Sequence, residues 1–323
     1  MKTLYTITHQ AAIFALSLLC SCTEAGAPLT VEAEDNPLYI GSVGVNSSGL
    51  VTRAEHTRVL NDASDEIGLF LKKDADNGYD AINNKQYTYN SPTWDPKDGN
   101  QLLLKKARAT LTAYYPYKEN GLTVNDVDGT ITVPLATAPY KATDEFYYSG
   151  SFEASFWSSS ITLSLKRAYS LLRFSFIKSS GEKGEYTGDG LVKGFTCKVT
   201  DLPMAGTLEL YSGDITDVTK EDLTFSPDDF NAGSMEKPAN CDYLVVPSSS
   251  FDGTVTFSCT IDGLSLTDRT VSAAELCGGT LPSLKPGVAY TIRVVILPTG
   301  LSVGTLQYEE WEKIEIDEEL TNK

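Results

Sequence analysis

Gly253-Thr254-Val255-Thr256-Phe257-Ser258-Cys259-Thr260-Ile261 alternates without a fault, and Asp262-Gly263 follows it. Val255, Phe257, Cys259 and Ile261 share one face while the Thr and Ser residues share the other, the period of two that belongs to a half-buried strand. Asp-Gly is a favoured pair for a tight hairpin turn, so Leu264-Ser265-Leu266-Thr267 is predicted to return beside it. The same alternation recurs in Thr130-Ile131-Thr132-Val133, Ile161-Thr162-Leu163-Ser164-Leu165 and Phe195-Thr196-Cys197-Lys198-Val199. Tyr290-Thr291-Ile292-Arg293-Val294-Val295-Ile296-Leu297 is more uniformly apolar, as a strand buried on both faces should be. Turn residues such as Asp126-Val127-Asp128-Gly129 separate these runs, and the best helix candidate is short, from Ser272 as cap to Leu276. The pattern is all-β, and two β-sandwiches are its simplest arrangement. A polar break at Ser158-Ser159-Ser160 divides an N-terminal sandwich, 54–160, from a C-terminal one, 161–323.

The chain has 323 residues, 41% of them apolar, and 43 Asp and Glu against 26 Lys and Arg give a net charge of -17. That apolar share can build cores, and the length suits two domains. The charge argues against nucleic acid, which needs a basic face. Of the two histidines, His9 lies in a segment predicted to be removed, so His56 stands alone. Zinc sites and Ser-His-Asp triads lack their usual parts. Asp74-Ala75-Asp76-Asn77-Gly78-Tyr79-Asp80 resembles a calcium loop, but Gly78 falls where an oxygen ligand is needed, and a polar hairpin loop is the better reading. Gly181, Gly184, Gly188 and Gly190 lack phosphate-loop spacing, and Asp228-Asp229 is one acidic pair among many. No catalytic residue, metal or cofactor is expected.

Residues 1–21 have the form of an export signal, with Lys2 before the apolar run Ala11-Ala12-Ile13-Phe14-Ala15-Leu16-Ser17-Leu18-Leu19. That run is too short to span a bilayer. Leu19-Cys20-Ser21-Cys22 resembles a bacterial lipobox, with Leu at -3, Ser at -1 and Cys22 as the acylated residue. A frame on Cys20 would put bulky Leu19 at -1, and an ordinary signal peptide would be cut near Ala25 or Ala27. Residues 22–53 then form a tether holding one weak, removable strand, whose apolar positions are Leu38, Ile40, Val43 and Val45.

Cys197, Cys241, Cys259 and Cys277 all lie in the expected second domain, where an exported protein could pair them in three ways or bury them as small apolar groups. Trp94, Trp157 and Trp311 could stack on sugar rings, though large aromatics in sandwiches more often fill cores. The acidic stretch from Glu309 to Glu319, broken by Trp311, Ile314 and Ile316, has the form of an edge strand.

Glu66-Ile67-Gly68-Leu69-Phe70, Tyr87, Trp94, Ala113-Tyr114-Tyr115-Pro116-Tyr117 and the run from Leu163 to Phe174 together resemble the fimbrillin family, the Mfa-like subunits of type V pili. Leu244-Val245-Val246-Pro247, the Asp262-Gly263 hairpin, Leu284-Lys285-Pro286-Gly287-Val288-Ala289-Tyr290-Thr291 and late Trp311 continue the resemblance in the same order. Lys166-Arg167-Ala168-Tyr169 departs from it, since family members often carry a His there. The resemblance implies two transthyretin-like β-sandwich domains, an outer-membrane lipoprotein and a place in an adhesive cell-surface fimbrium as stalk, tip or anchor. It also implies cleavage after an Arg, for which Arg53 fits better than Arg58, followed by strand exchange with other fimbrial subunits. Leu301 to Ile316 is the expected donor strand, with Val303, Leu306, Ile314 and Ile316 as its apolar plugs. The competing expectation is a monomeric surface lipoprotein that binds glycan through its Trp and Tyr residues.

Overall fold

The computed structural model describes residues 35–46, 58–181, 184–279, 282–303 and 307–311. Thr254–Ile261 pairs antiparallel with Leu264–Ser272, and the turn holds Asp262 at φ 47° and Gly263 at φ 84°. Positive φ at both central residues matches the hairpin twist to that of its strands. Val255, Phe257, Cys259 and Ile261 are all buried.

This hairpin edges a seven-stranded sheet whose order runs Leu264–Ser272, Thr254–Ile261, Leu191–Glu209, Ile131–Ala136, Thr123–Val124. Ile215–Phe225 and Phe230–Asn231 add to Leu191–Glu209 as well. A second sheet runs Ala138–Pro139, Ala239–Val245, Ser170–Lys178, Val288–Leu297, with Gly300–Val303 and Gln307–Glu310 sharing its outer edge. The two sheets bury one apolar core. At its centre Phe174 meets Phe195 and Phe257 edge-on at 5.2 and 5.4 Å, the arrangement that aromatic quadrupoles favour.

The N-terminal half is one nine-stranded sheet, ordered Tyr147–Tyr148, Ser160–Arg167, Tyr39–Asn46, Thr93–Pro96, Ile82–Asn90, Glu66–Leu71, Ala109–Tyr115, Phe152–Ala154, with Arg58–Leu60 added to Tyr39–Asn46. Tyr147 and Tyr148 pair with Arg167 and Lys166 on one side and with Tyr115 and Tyr114 on the other, so the sheet closes on itself. Closure leaves few open edges and encloses a core of its own.

Strand pairing crosses residue 160 in both directions. Ile131–Ala136 joins the sheet of the C-terminal half, and Ser160–Arg167 belongs to that of the N-terminal half. A third apolar cluster, including Phe70, Tyr114, Ile131, Leu171 and Trp311, fills the space where the halves meet.

The expected short helix is Ala273–Cys277, closed by a capping box in which Ser272 accepts from the Glu275 amide and Glu275 accepts from that of Ser272. The four expected cysteines are free thiols. Burial pushes the Cys259 thiol up to about 11. Asp74 and Tyr79 bridge a turn in which the Asp74 carboxylate accepts from the Asn77 backbone and side chain. Among the described residues no group of three His, Cys, Asp or Glu could hold a metal ion, and no helix is long and apolar enough to cross a membrane. The Gly-rich segment is tied down at its far end, where the Asp262 carboxylate accepts from the Tyr186 hydroxyl and from the Gly190 and Leu191 amides.

Candidate strand-exchange site

A strict period of two would put Ile40, Ser42 and Gly44 on one face of Tyr39–Asn46. The structure instead buries Leu38, Ile40, Val43 and Val45, all at 4% exposure or less. Ile40 lies opposite Ile161 and Ser42 opposite Thr162, so Gly41 is the extra residue of a bulge. One inserted residue changes the facing of everything after it, which brings Val43 and Val45 into phase with Ile40. The break in alternation made this strand look weak in the sequence.

Along one side the strand runs parallel to Ser160–Arg167 for its full length. On the other it meets Trp94 at Ile40 and Arg58–Leu60 at Val43 to Val45. The Leu38 amide donates to the Leu102 carbonyl at 2.7 Å, the Tyr39 amide to the Ser159 carbonyl at 2.8 Å, and the Asn36 side chain to the Phe156 carbonyl and the Ser159 hydroxyl. Burying these four apolar side chains contributes roughly 6–12 kcal/mol before chain entropy is counted. Withdrawing the segment would leave a groove with unpaired backbone on both walls and apolar pockets along its floor.

The other chain end is held differently. Val288–Leu297 is covered on its outer edge by two short returns: Val303 to Gly300 pair with Val294 to Leu297, and Gln307 to Glu310 pair with Thr291 to Val288. Trp311 ends the second return and is buried, its amide donating to the Gly287 carbonyl at 2.9 Å. Its carbonyl accepts from Arg167 Nη1 at 2.6 Å, and the Arg167 guanidinium lies 4.6 Å from its ring centre. Arg167 is itself buried and pairs with buried Glu145 at 3.4 Å, whose carboxylate accepts from the Tyr140 hydroxyl at 2.7 Å. Burial, and then the Glu145 charge, push the Tyr140 hydroxyl far above its usual range. A charge this deep is tolerated because it is paired and hydrogen-bonded.

Cys22, Arg53, Leu306, Ile314 and Ile316 lie outside the described residues. Val303 pairs within its own chain, opposite Val294. Arg58 sits in a ladder opposite Val45. Trp94 and Trp311 are core residues, whereas Trp157 is 73% exposed. Arg167 was not singled out from the sequence, although it follows Leu163 and Leu165 on the inward face of an alternating strand. An Arg in phase with core positions was the available signal.

A sequence profile of the family described as fimbrillin-like matches residues 52–311. No curated protein matches the chain. A solved structure of a candidate cell adhesion protein from Bacteroides ovatus superposes with a TM-score of 0.59 at 17% identity, covering 87% of this chain and 99% of that one. Another from Bacteroides uniformis gives 0.55 at 16% identity over 85% and 99%. A fimbrial protein from Bacteroides vulgatus gives 0.52 at 13% identity over 85% and 100%. At these identities the superpositions establish a shared fold and nothing finer.

Proposed function

This chain belongs to the fimbrillin-like family, a family of fimbrial proteins and not of enzymes, and from that premise we propose that it is a structural or accessory subunit of an adhesive cell-surface fimbrium, assembled by strand exchange. The observation that carries this reading is Tyr39–Asn46, an interior strand with four buried apolar side chains at or beside it, joined to the rest of its domain through residues 47–57. Cleavage after Arg53 would separate that strand from the sheet it completes. Arg58 is the poorer site because a protease needs an accessible extended backbone, and that of Arg58 is engaged with Val45. The vacated groove would take a neighbour's strand by β-augmentation, backbone hydrogen bonds giving affinity and alternate side chains giving fit.

On this reading Cys22 carries acyl chains that hold the subunit to the outer membrane, more than one chain being needed for stable anchoring. Two β domains then form the body, the boundary expected at 160/161 being bridged by Ile131–Ala136, which joins the C-terminal sheet, and by Ser160–Arg167, which joins the N-terminal one, with the donor strand at 301–316. The test is to treat the purified protein with an Arg-specific protease at rising concentration and run it unheated on a gel. A concentration-dependent ladder that Arg53→Ala abolishes supports strand exchange. A single monomer band after complete cleavage at Arg53 contradicts it.

A further inference from the structure

A cleft of about 510 Å³ opens where the two halves meet. Its floor is apolar, with Leu71 from one sheet and Ile131 from the other, and Tyr211 forms part of its wall. The Tyr211 hydroxyl is buried and has no hydrogen-bond partner among the described residues. A native buried polar atom without a partner calls for an explanation. Lys72 spans the Tyr211 ring at 5.6 Å, and the turn at Asp126 to Gly129 forms a rim that carries Val127, 96% exposed. A second, more open cleft of about 430 Å³ begins at the same Asn83 that ends the first and continues past Gln86 to Tyr117.

Asn83 and Asn84 sit in a bulge of Ile82–Asn90, between the pairs Leu69–Lys85 and Leu71–Ile82. Asn84, at φ 51°, is spent inward: it donates to the Lys118 carbonyl and accepts from the Tyr114 hydroxyl. Asn83 is turned outward and exposed where the clefts join. The side chains of Lys73, Asp80, Asn83 and Asp126 make no hydrogen bond or ion pair with any described residue.

The charge of these clefts sets them apart from the rest of the molecule. Lys72 and Lys73 stand against Asp80, Asp126 and Asp128 in the first, and Lys85 and Lys97 against Asp98 in the second. Four cations thus balance four anions on a chain whose net charge is -17. A balanced wall has no preference for an ionic ligand, but it offers both donors and acceptors. Ile82–Asn90 is flanked by Glu66–Leu71 on one side and by Thr93–Pro96 only from Tyr87 to Asn90 on the other, so the backbone of Ile82 to Lys85 has no strand partner there among the described residues and adds donors and acceptors beside the second cleft. Apolar floor, polar rim and uncharged balance at a junction between packed units describe a small-molecule site for a ligand with one apolar face and many hydroxyls.

We propose that the paired clefts bind a neutral carbohydrate chain, with Asn83 at the centre and the Tyr211 hydroxyl as a hydrogen-bonding group in the deeper part. The site is complete in a single chain and does not depend on polymerisation. Titration calorimetry of the full chain with lacto-N-tetraose, maltohexaose and 3′-sialyllactose tests it. Saturable binding of either neutral probe is expected, and which one binds separates an animal-type glycan from an α-glucan. Asn83→Ala and Tyr211→Phe should each weaken binding about three- to tenfold, the worth of one net hydrogen bond, with the thermal midpoint of Asn83→Ala unchanged. No saturation with either neutral probe, tighter binding of the charged one, or affinity untouched by both variants overturns the proposal. The unheated-gel ladder run on the same variants is expected to persist, so a failed glycan site and a failed assembly reading give different results.

Discussion

The two ends of the described chain both contribute strands, yet they differ in kind. Tyr39–Asn46 is interior, with neighbours on both sides, whereas Gly300–Val303 and Gln307–Glu310 each pair with Val288–Leu297 alone at a sheet edge. Removing an interior strand exposes two rows of backbone groups and a trough of apolar surface; removing an edge strand exposes one row. The first vacancy demands a replacement, and the second leaves a sheet that is shorter but intact. On the strand-exchange reading proposed above, the N-terminal side would be the acceptor and the C-terminal side the donor, and the contact of Arg167 with Trp311 would hold the donor end until a partner competes for it.

The largest expected effect tests the interior strand. Ile40→Asp would bury an unpaired charge at a fully buried position and should cost more than about 4 kcal/mol, abolishing the cooperative thermal transition; a variant that melts normally would show that the strand is not part of the core. Next comes the latch. Arg167→Ala leaves Glu145 buried without its partner and should cost roughly 3–5 kcal/mol. In denaturant titration a cost under about 1 kcal/mol would mean that the pair holds nothing.

Phe257→Ala calibrates both against an ordinary core substitution at roughly 3–5 kcal/mol, while Thr256→Ala on the opposite face should stay within about 0.5 kcal/mol. Equal shifts of the denaturation midpoint would contradict the register. Hydrogen exchange compares the two ends directly. Amides of 40–45 should exchange only through global unfolding, and those of 300–303 through local opening. The reverse order would invert the assignment of acceptor and donor.

The alternating strands and the Asp262-Gly263 hairpin were legible because side-chain facing and turn chemistry are local. The capped helix was legible for the same reason, since Ser272 and Glu275 lie three residues apart. The N-terminal strand was underread because its phase is broken at Gly41, and only its partner Ser160–Arg167 reveals where the extra residue sits. The closure of the N-terminal sheet rests on Tyr147 and Tyr148 pairing on both sides, a pattern two residues long that carries no periodicity. Arg167 marks the same limit, because its partners Glu145 and Trp311 come from distant segments and no local spacing joins them.

The central claim, that 39–46 occupies a groove meant for another subunit's strand, is tested most directly by intact-mass and N-terminal analysis of chains recovered from assembled fibres. A mature N-terminus at Ala54, with the 22–53 segment absent from the polymer, is the predicted result. Assembled chains that begin at Cys22 and still carry 39–46 would contradict it.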